Sequence, residues 1–169
     1  SQPGQVGLLF YSGHGLRGTD ANNYLLPVDA NPQYQEDIQW EGIPVERVLK
    51  EMEAAKPRMS LLIIDACRNT LLRSKNRGVV EQGMQIIQAP KGSLIAFATA
   101  PNEQAKDYVA LGDRHSPYVA ALLEHLPKPG LTIEQVFKET RRTVLAKTQE
   151  QQTPWENSSL IGRENFYFV

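Results

Sequence analysis

The chain has 169 residues, 41% hydrophobic and 22% charged, which is enough for one domain with its own core and too apolar for an intrinsically disordered segment or a collagen-like fibre. Eighteen Lys and Arg oppose nineteen Asp and Glu, a formal charge of −1, which excludes a broad basic field for nucleic acid or an anionic membrane. The single cysteine, Cys67, excludes an internal disulfide and any zinc site built on several thiolates, leaving a buried structural thiol or a reactive one.

Val6–Tyr11 is a short apolar and aromatic run closed by Ser12-Gly13, which predicts a buried strand ending near His14. A polar loop with Asn22, Asn23 and Pro27 follows. Val45, Val48, Leu49 and Met52 then fall at i, i+3, i+4 and i+7, the spacing of one helix face, and Pro57 stops that helix. Leu61–Ile64 predicts a second strand, with Asp65-Ala66-Cys67 where it runs out; strand, helix and strand make one crossover of a parallel sheet. From Asn69 to Lys91 no apolar period is visible. Residues 70–91, with Arg73, Lys75 and Arg77, are expected to form an exposed basic loop.

Ser93–Ala98 predicts a third strand, followed by a polar stretch containing Asp107. Ser116 suits an N-cap with Pro117 at the first helical position, and Val119, Leu122, Leu123 and Leu126 are the expected buried stripe. Thr132 and Gln135 have capping-box spacing ahead of Val136, Phe137, Thr140 and Val144, which marks a last long helix. Phe166–Val169 reads as a final strand, and Trp40 and Trp155 as residues packed at the margin of the core. The apolar runs fall far short of the ~20 residues that cross a bilayer, and no leader pattern opens the chain, so a cytoplasmic setting is expected.

His14 and Cys67 both follow the carboxyl ends of predicted parallel strands, the edge along which open α/β sheets carry their sites. A cysteine nucleophile needs an imidazole to manage its proton and backbone N–H groups for the oxyanion. Gly13 and Gly15 flank His14, which would let the backbone approach a substrate. Gly13 to Gly18 also matches the dinucleotide pattern G-x-G-x-x-G, but Thr19–Asn23 is turn chemistry and Pro27 arrives before a helix develops, so nucleotide binding is rejected. His125, near a helix end, reads as a surface residue; His115, just before the Ser116 cap, reads first as a solvated loop residue, with lining the cleft as its alternative.

The segments Tyr11–Gly15 and Asp65–Asn69, with the histidine some fifty residues upstream of the cysteine, resemble the caspase-like cysteine peptidases. This group embraces caspases, metacaspases, paracaspases and bacterial relatives. Asn23–Pro27, Ala96–Ala100, Ser116–Tyr118 and Gln152–Trp155 resemble recurring segments of the bacterial members, so the likeness covers nearly the whole chain. It implies a three-layer α/β sandwich with a mainly parallel sheet. It further implies Cys67 as nucleophile, His14 as the group that protonates the leaving amine, and the N–H groups of Gly15 and Cys67 as the oxyanion hole. Asp65 stands where caspases carry Gln and where metacaspases and paracaspases carry Asp, and Asp107 matches a second acid of paracaspases. The implied activity is endopeptidase cleavage of protein or peptide substrates after Arg or Lys, with Arg73, Lys75 and Arg77 as a self-cleavage segment.

The resembled fold opens with a strand, a helix, a second strand and a further helix ahead of its histidine strand. About 60–80 residues are therefore expected as a missing amino-terminal partner segment of the same domain. Asp65 has a bland alternative as a strand-end carboxylate satisfied by backbone N–H groups, and Asp107 one as a surface acid. An interaction module or pseudoenzyme without turnover is the competing function, while a thiol redox role lacks a resolving cysteine. No cofactor is required by the implied chemistry. No compact acidic loop of calcium-ligand spacing stands out, and calcium dependence, as seen in metacaspases, is left open.

Overall fold

The computed structural model describes residues 4–67, 84–101, 103, 105–110, 112–161 and 165–169. Among the described residues its strands and α-helices are β1 (Val6–Arg17), β2 (Asn23–Leu25), α1 (Ile38–Glu41), β3 (Ile43–Pro44), α2 (Val45–Ala54), β4 (Met59–Cys67), β5 (Ser93–Phe97), α3 (Pro117–His125), α4 (Ile133–Lys147) and β6 (Trp155–Ser158). One six-stranded sheet runs β3-β2-β1-β4-β5-β6. Its centre is parallel: β4 pairs with β1 on one side and with β5 on the other. The flanking strands β2, β3 and β6 pair antiparallel.

β4 lies between layers, and that explains its unbroken apolar run. Leu61, Leu62, Ile63 and Ile64 are all buried, as a parallel strand covered on both faces requires. Successive side chains alternate between two cores. Leu62, Ile64, Ile95 and Phe97 pack with Val45 and Leu49 of α2. Leu61, Ile63, Leu94 and Ala96 pack with Tyr118, Ala121 and Leu122 of α3 and with Val136, Phe137 and Val144 of α4. The expected three-layer α/β architecture is present. α3 starts as its sequence predicts, with Ser116 Oγ accepting the Val119 N–H at 3.0 Å and Pro117 in the first turn. At α4, Thr132 Oγ1 accepts from Gln135 N–H while Gln135 Oε1 accepts from Thr132 N–H, the reciprocal box that satisfies two otherwise orphaned donors.

Several expectations are corrected. β1 does not end near His14; it continues to Arg17, because Gly15–Arg17 form a hairpin with β2 around the Gly18–Asn22 turn. The stripe of α3 is Tyr118, Ala121, Leu122 and His125, whereas Leu123 is 52% exposed. His125 is buried, not superficial: its Nε2 lies 2.8 Å from Thr143 Oγ1 and its Nδ1 3.0 Å from Lys128 Nζ. Burial, and then the Lys128 charge, lower its pKa, which favours the neutral imidazole between α3 and α4. Phe166–Val169 is no strand, since Tyr167 makes only an isolated bridge to Thr132; the edge strand is β6 instead. Trp40 is 80% exposed and does not pack on the core.

The expected exposed loop over 70–91 is also corrected in its last third. Residues 84–90 run as an extended strap with Ile87 and Ala89 buried against the α2-side core. The buried amide of Asn23 binds both backbone groups of Gln85, accepting its N–H at 2.8 Å and donating to its carbonyl at 3.1 Å. Asn157 Oδ1 of β6 accepts the Ala89 N–H at 3.0 Å. Arg73, Lys75 and Arg77 lie outside the described residues.

The double-sided burial of β4 yields a direct expectation. Leu61→Ala should lower the unfolding free energy by about 2–5 kcal/mol, read as a fall in the urea midpoint with an unchanged slope.

Candidate active site

The β1–β4 pairing is parallel and in register from Val6↔Met59 to His14↔Cys67. Two of its pairs concern the predicted site: Ser12 stands opposite Asp65, and His14 opposite Cys67. Residues two apart share one face of a strand, so positions 12, 14, 65 and 67 all belong to the face that carries α3 and α4. Leu9 and Tyr11 pack on the other face, toward α2. Both predicted chemistry-bearing positions therefore stand at the carboxyl end of the parallel β1–β4 ladder, where β4 ends and β1 goes on into its hairpin with β2.

His14 is exposed and its backbone is fixed from two sides. The Leu26 N–H donates to the His14 carbonyl at 3.0 Å. The Tyr11 hydroxyl lies 2.8 Å from both the His14 and the Leu26 carbonyls, so one proton is shared between them. The flanking glycines serve this packing more than access to substrate. A Cβ at Gly13 would meet Tyr11 Oη at 2.7 Å, and one at Gly15 would meet Ala66 Cβ at 2.7 Å and Met84 Sδ at 2.8 Å.

Asp65 is 2% exposed. Its Oδ2 accepts from Ser116 Oγ at 2.8 Å and from Ser12 Oγ at 3.3 Å, while its Oδ1 is buried with no hydrogen-bond partner among the described residues. Burial raises its pKa above the ordinary carboxylate value; the two serine hydroxyls pull it down, and the nearby Asp107 charge pushes it up. The alternative of a strand-end carboxylate satisfied by backbone N–H groups is not what the fold contains, because both donors are serine hydroxyls.

A cleft of about 550 Å³ opens over this carboxylate. Ser12, His14, Asp65 and Ser116 form its floor and inner wall, and Asp107 reaches it from the stretch after β5. Arg114 and His115, both exposed, border it as well. His115 thus lines the cleft, and Arg114 was missed by sequence reasoning, which had no reason to separate it from solvated loop residues. Ser12 and Ser116 were also missed as partners of Asp65. Among the described residues no group of three or more His, Cys, Asp or Glu is arranged to hold a metal ion, and no helix is long and apolar enough to cross a membrane.

A buried acid with one unpartnered oxygen costs stability while it is ionised. Its raised pKa means that the folded state holds the proton more tightly than the unfolded chain. Stability is therefore lost as pH rises from the ordinary carboxylate value through the raised one. Asp65→Asn keeps an acceptor for the serines and removes the charge, but leaves a buried amide N–H₂ without a partner. The net gain at neutral pH should be on the order of 1 kcal/mol, vanishing in acid, and paired denaturation curves across pH would read it.

A family model described as the caspase domain matches residues 1–166, and the chain belongs to that family of cysteine peptidases. No curated protein matches it.

Proposed function

We propose that this caspase-family chain is a cysteine endopeptidase that cleaves after Arg or Lys through Cys67 and His14. The observation that carries the reading is the pairing of positions 14 and 67 across β1 and β4, two residues beyond the buried carboxylate that lines one cleft with His14. Cys67, as thiolate, adds to the scissile carbonyl. The N–H groups of Gly15 and Cys67 are the donors proposed for the resulting oxyanion, where one such donor stabilises the transition state by about 3–4 kcal/mol. The tetrahedral adduct collapses to a thioester as His14 protonates the departing amine. Water then hydrolyses the thioester, with His14 taking its proton, and the thiol is restored.

The side chain before the cleaved bond enters the cleft toward Asp65 and Asp107. Asp65 and Asp107 both line the cleft, so a guanidinium or ammonium that enters it is attracted by two carboxylates. An incoming carboxylate would meet two acids. Arg114 and His115 do not reverse this preference, because exposed charges are screened by water and salt, and a buried one is not. The stretch with Arg73, Lys75 and Arg77 offers such side chains in the chain itself, which makes it the proposed autoprocessing segment.

Recognition of a cation requires Asp65 ionised. The KM for basic peptides should accordingly rise as pH falls through its raised pKa, at a higher pH than an ordinary carboxylate would give. The decisive experiment is labelling by an acylating peptide probe with Arg at the reactive position. Cys67→Ala and His14→Ala should each abolish it, and Asp65→Asn should reduce the preference for Arg over Asp by about 10–100-fold. A stronger reaction with the Asp probe would overturn the basic specificity. A folded protein that labels with neither would be an interaction module.

A further inference from the structure

Gln152 opens the Gln152–Trp155 segment, and the chemistry of the cleft gives that segment no part. It is fully buried, at 0% exposure, in the turn after α4. A buried primary amide needs partners for both of its ends, and here both are backbone groups. Nε2 donates to the Ala98 carbonyl at 2.8 Å, and Oε1 accepts the Lys106 N–H at 3.0 Å. A carbonyl can only accept and an N–H can only donate, so the amide has a single allowed orientation.

These two partners bracket the stretch that leads to Asp107. Ala98 directly follows β5, and its N–H donates to the Ile64 carbonyl at 2.9 Å, one residue before Asp65. Lys106 directly precedes Asp107. One continuous path of hydrogen bonds therefore runs from the strand bearing Asp65, through Ala98 and the Gln152 amide, to the residue beside Asp107. The amide is itself tied to α4. Gln152 N–H donates to Thr148 Oγ1 at 3.2 Å, and Thr148 Oγ1 donates to the Val144 carbonyl at 2.8 Å. Lys106 Nζ adds a second tie to the same turn through Gln151 Oε1 at 2.5 Å.

We infer that Gln152 is a positioning residue for cation recognition: its amide sets Asp107 against Asp65, so that two acids on separate segments act on one bound cation. The inference rests on the proposed roles of Asp65 and Asp107 and adds what holds them together. Asp107 lies outside any helix or strand, where a small displacement would move a charge relative to a fixed partner. Only an amide of this length supplies a donor and an acceptor to the two ends of the stretch that leads to it. A carboxylate at 152 would face the Ala98 carbonyl with no proton to give.

The test is a double-mutant cycle between Gln152→Ala and Asp107→Asn, with Gln152→Glu measured in parallel. Hydrolysis is compared for peptides ending in Arg and in citrulline, its neutral isostere. Binding of 4-aminobenzamidine, a cation that needs no turnover, is measured by its fluorescence. Gln152→Ala should lower the Arg-to-citrulline ratio about tenfold, through KM and not kcat, and weaken aminobenzamidine to a similar extent. With Asp107 already replaced by Asn, the same substitution should change neither value by more than about twofold. Equal loss on both peptides, an undiminished effect in the Asp107→Asn background, or failure of both Gln152 variants to fold would overturn the inference in favour of a purely structural residue. If the peptides are not cleaved but aminobenzamidine binds with the expected coupling, the peptidase reading falls and the role of Gln152 stands. Should the unaltered protein not bind the probe, both fail.

Discussion

Parallel pairing of β1 with β4 is the constraint from which the rest of the site follows. The ladder holds from Val6 to His14, and its register decides more than distance. A slip of one residue would turn every side chain of β1 to the opposite layer, sending His14 toward α2 while Asp65 stayed with α3. Slippage is opposed from the α2 side. Leu9 and Tyr11 are committed to the α2-side core, and the Tyr11 hydroxyl fastens the carbonyls of His14 and Leu26. The catalytic proposal therefore depends on hydrophobic burial several residues away from any reacting atom.

The sheet divides its two faces unequally. Toward α2 the strap at 84–90 adds Ile87 and Ala89 to the helix, and Leu9 and Tyr11 of β1 are partly buried. Toward α3 and α4 the covering is complete only over β4 and β5. On β1 that face leaves Leu8 and Phe10 exposed at 52% and 45%, and the cleft lies beside Phe10. An acid placed at the boundary between the covered and open parts, as Asp65 is, feels a low dielectric on one side and an approachable cleft on the other. Its charge is costly to maintain alone and correspondingly strong when matched. Under the proposed function, stability and recognition are opposed at this residue.

Much of the fold was legible because its signals are local. The apolar run of β4, the Ser116 cap and the Thr132–Gln135 box need only neighbouring residues to be recognised. β2, β3 and β6 are two to four residues long and owe their existence to a partner strand, which no local pattern announces. His125 and Leu123 exchange their expected environments because α4 covers one side of α3 and not the other, a fact of tertiary packing. The strap was hidden by composition: the basic residues before it mask the apolar residues Ile87 and Ala89. For the candidate site, predicted strand ends and flanking glycines pointed to His14 and Cys67, while Asp65 and Asp107 were nominated only by the family resemblance. The serines that hold Asp65, and the distant Gln152, carry no signal until the chain is folded, since their partners lie 46 to 54 residues away in sequence.

Ser116 has one hydroxyl and two obligations. Its oxygen receives the Val119 N–H at the start of α3, and its proton goes to Asp65. A single rotor thus joins the first turn of a helix to the ionisation state of an acid fifty-one residues earlier. While the acid is anionic, the proton has one destination and the helix start is pinned. Once the acid is neutral it can itself donate, the rotor gains a second well, and the beginning of α3 is freed to fray. Local order in this helix would then follow the occupancy of the cleft, tightening when a cation keeps its anionic partner ionised.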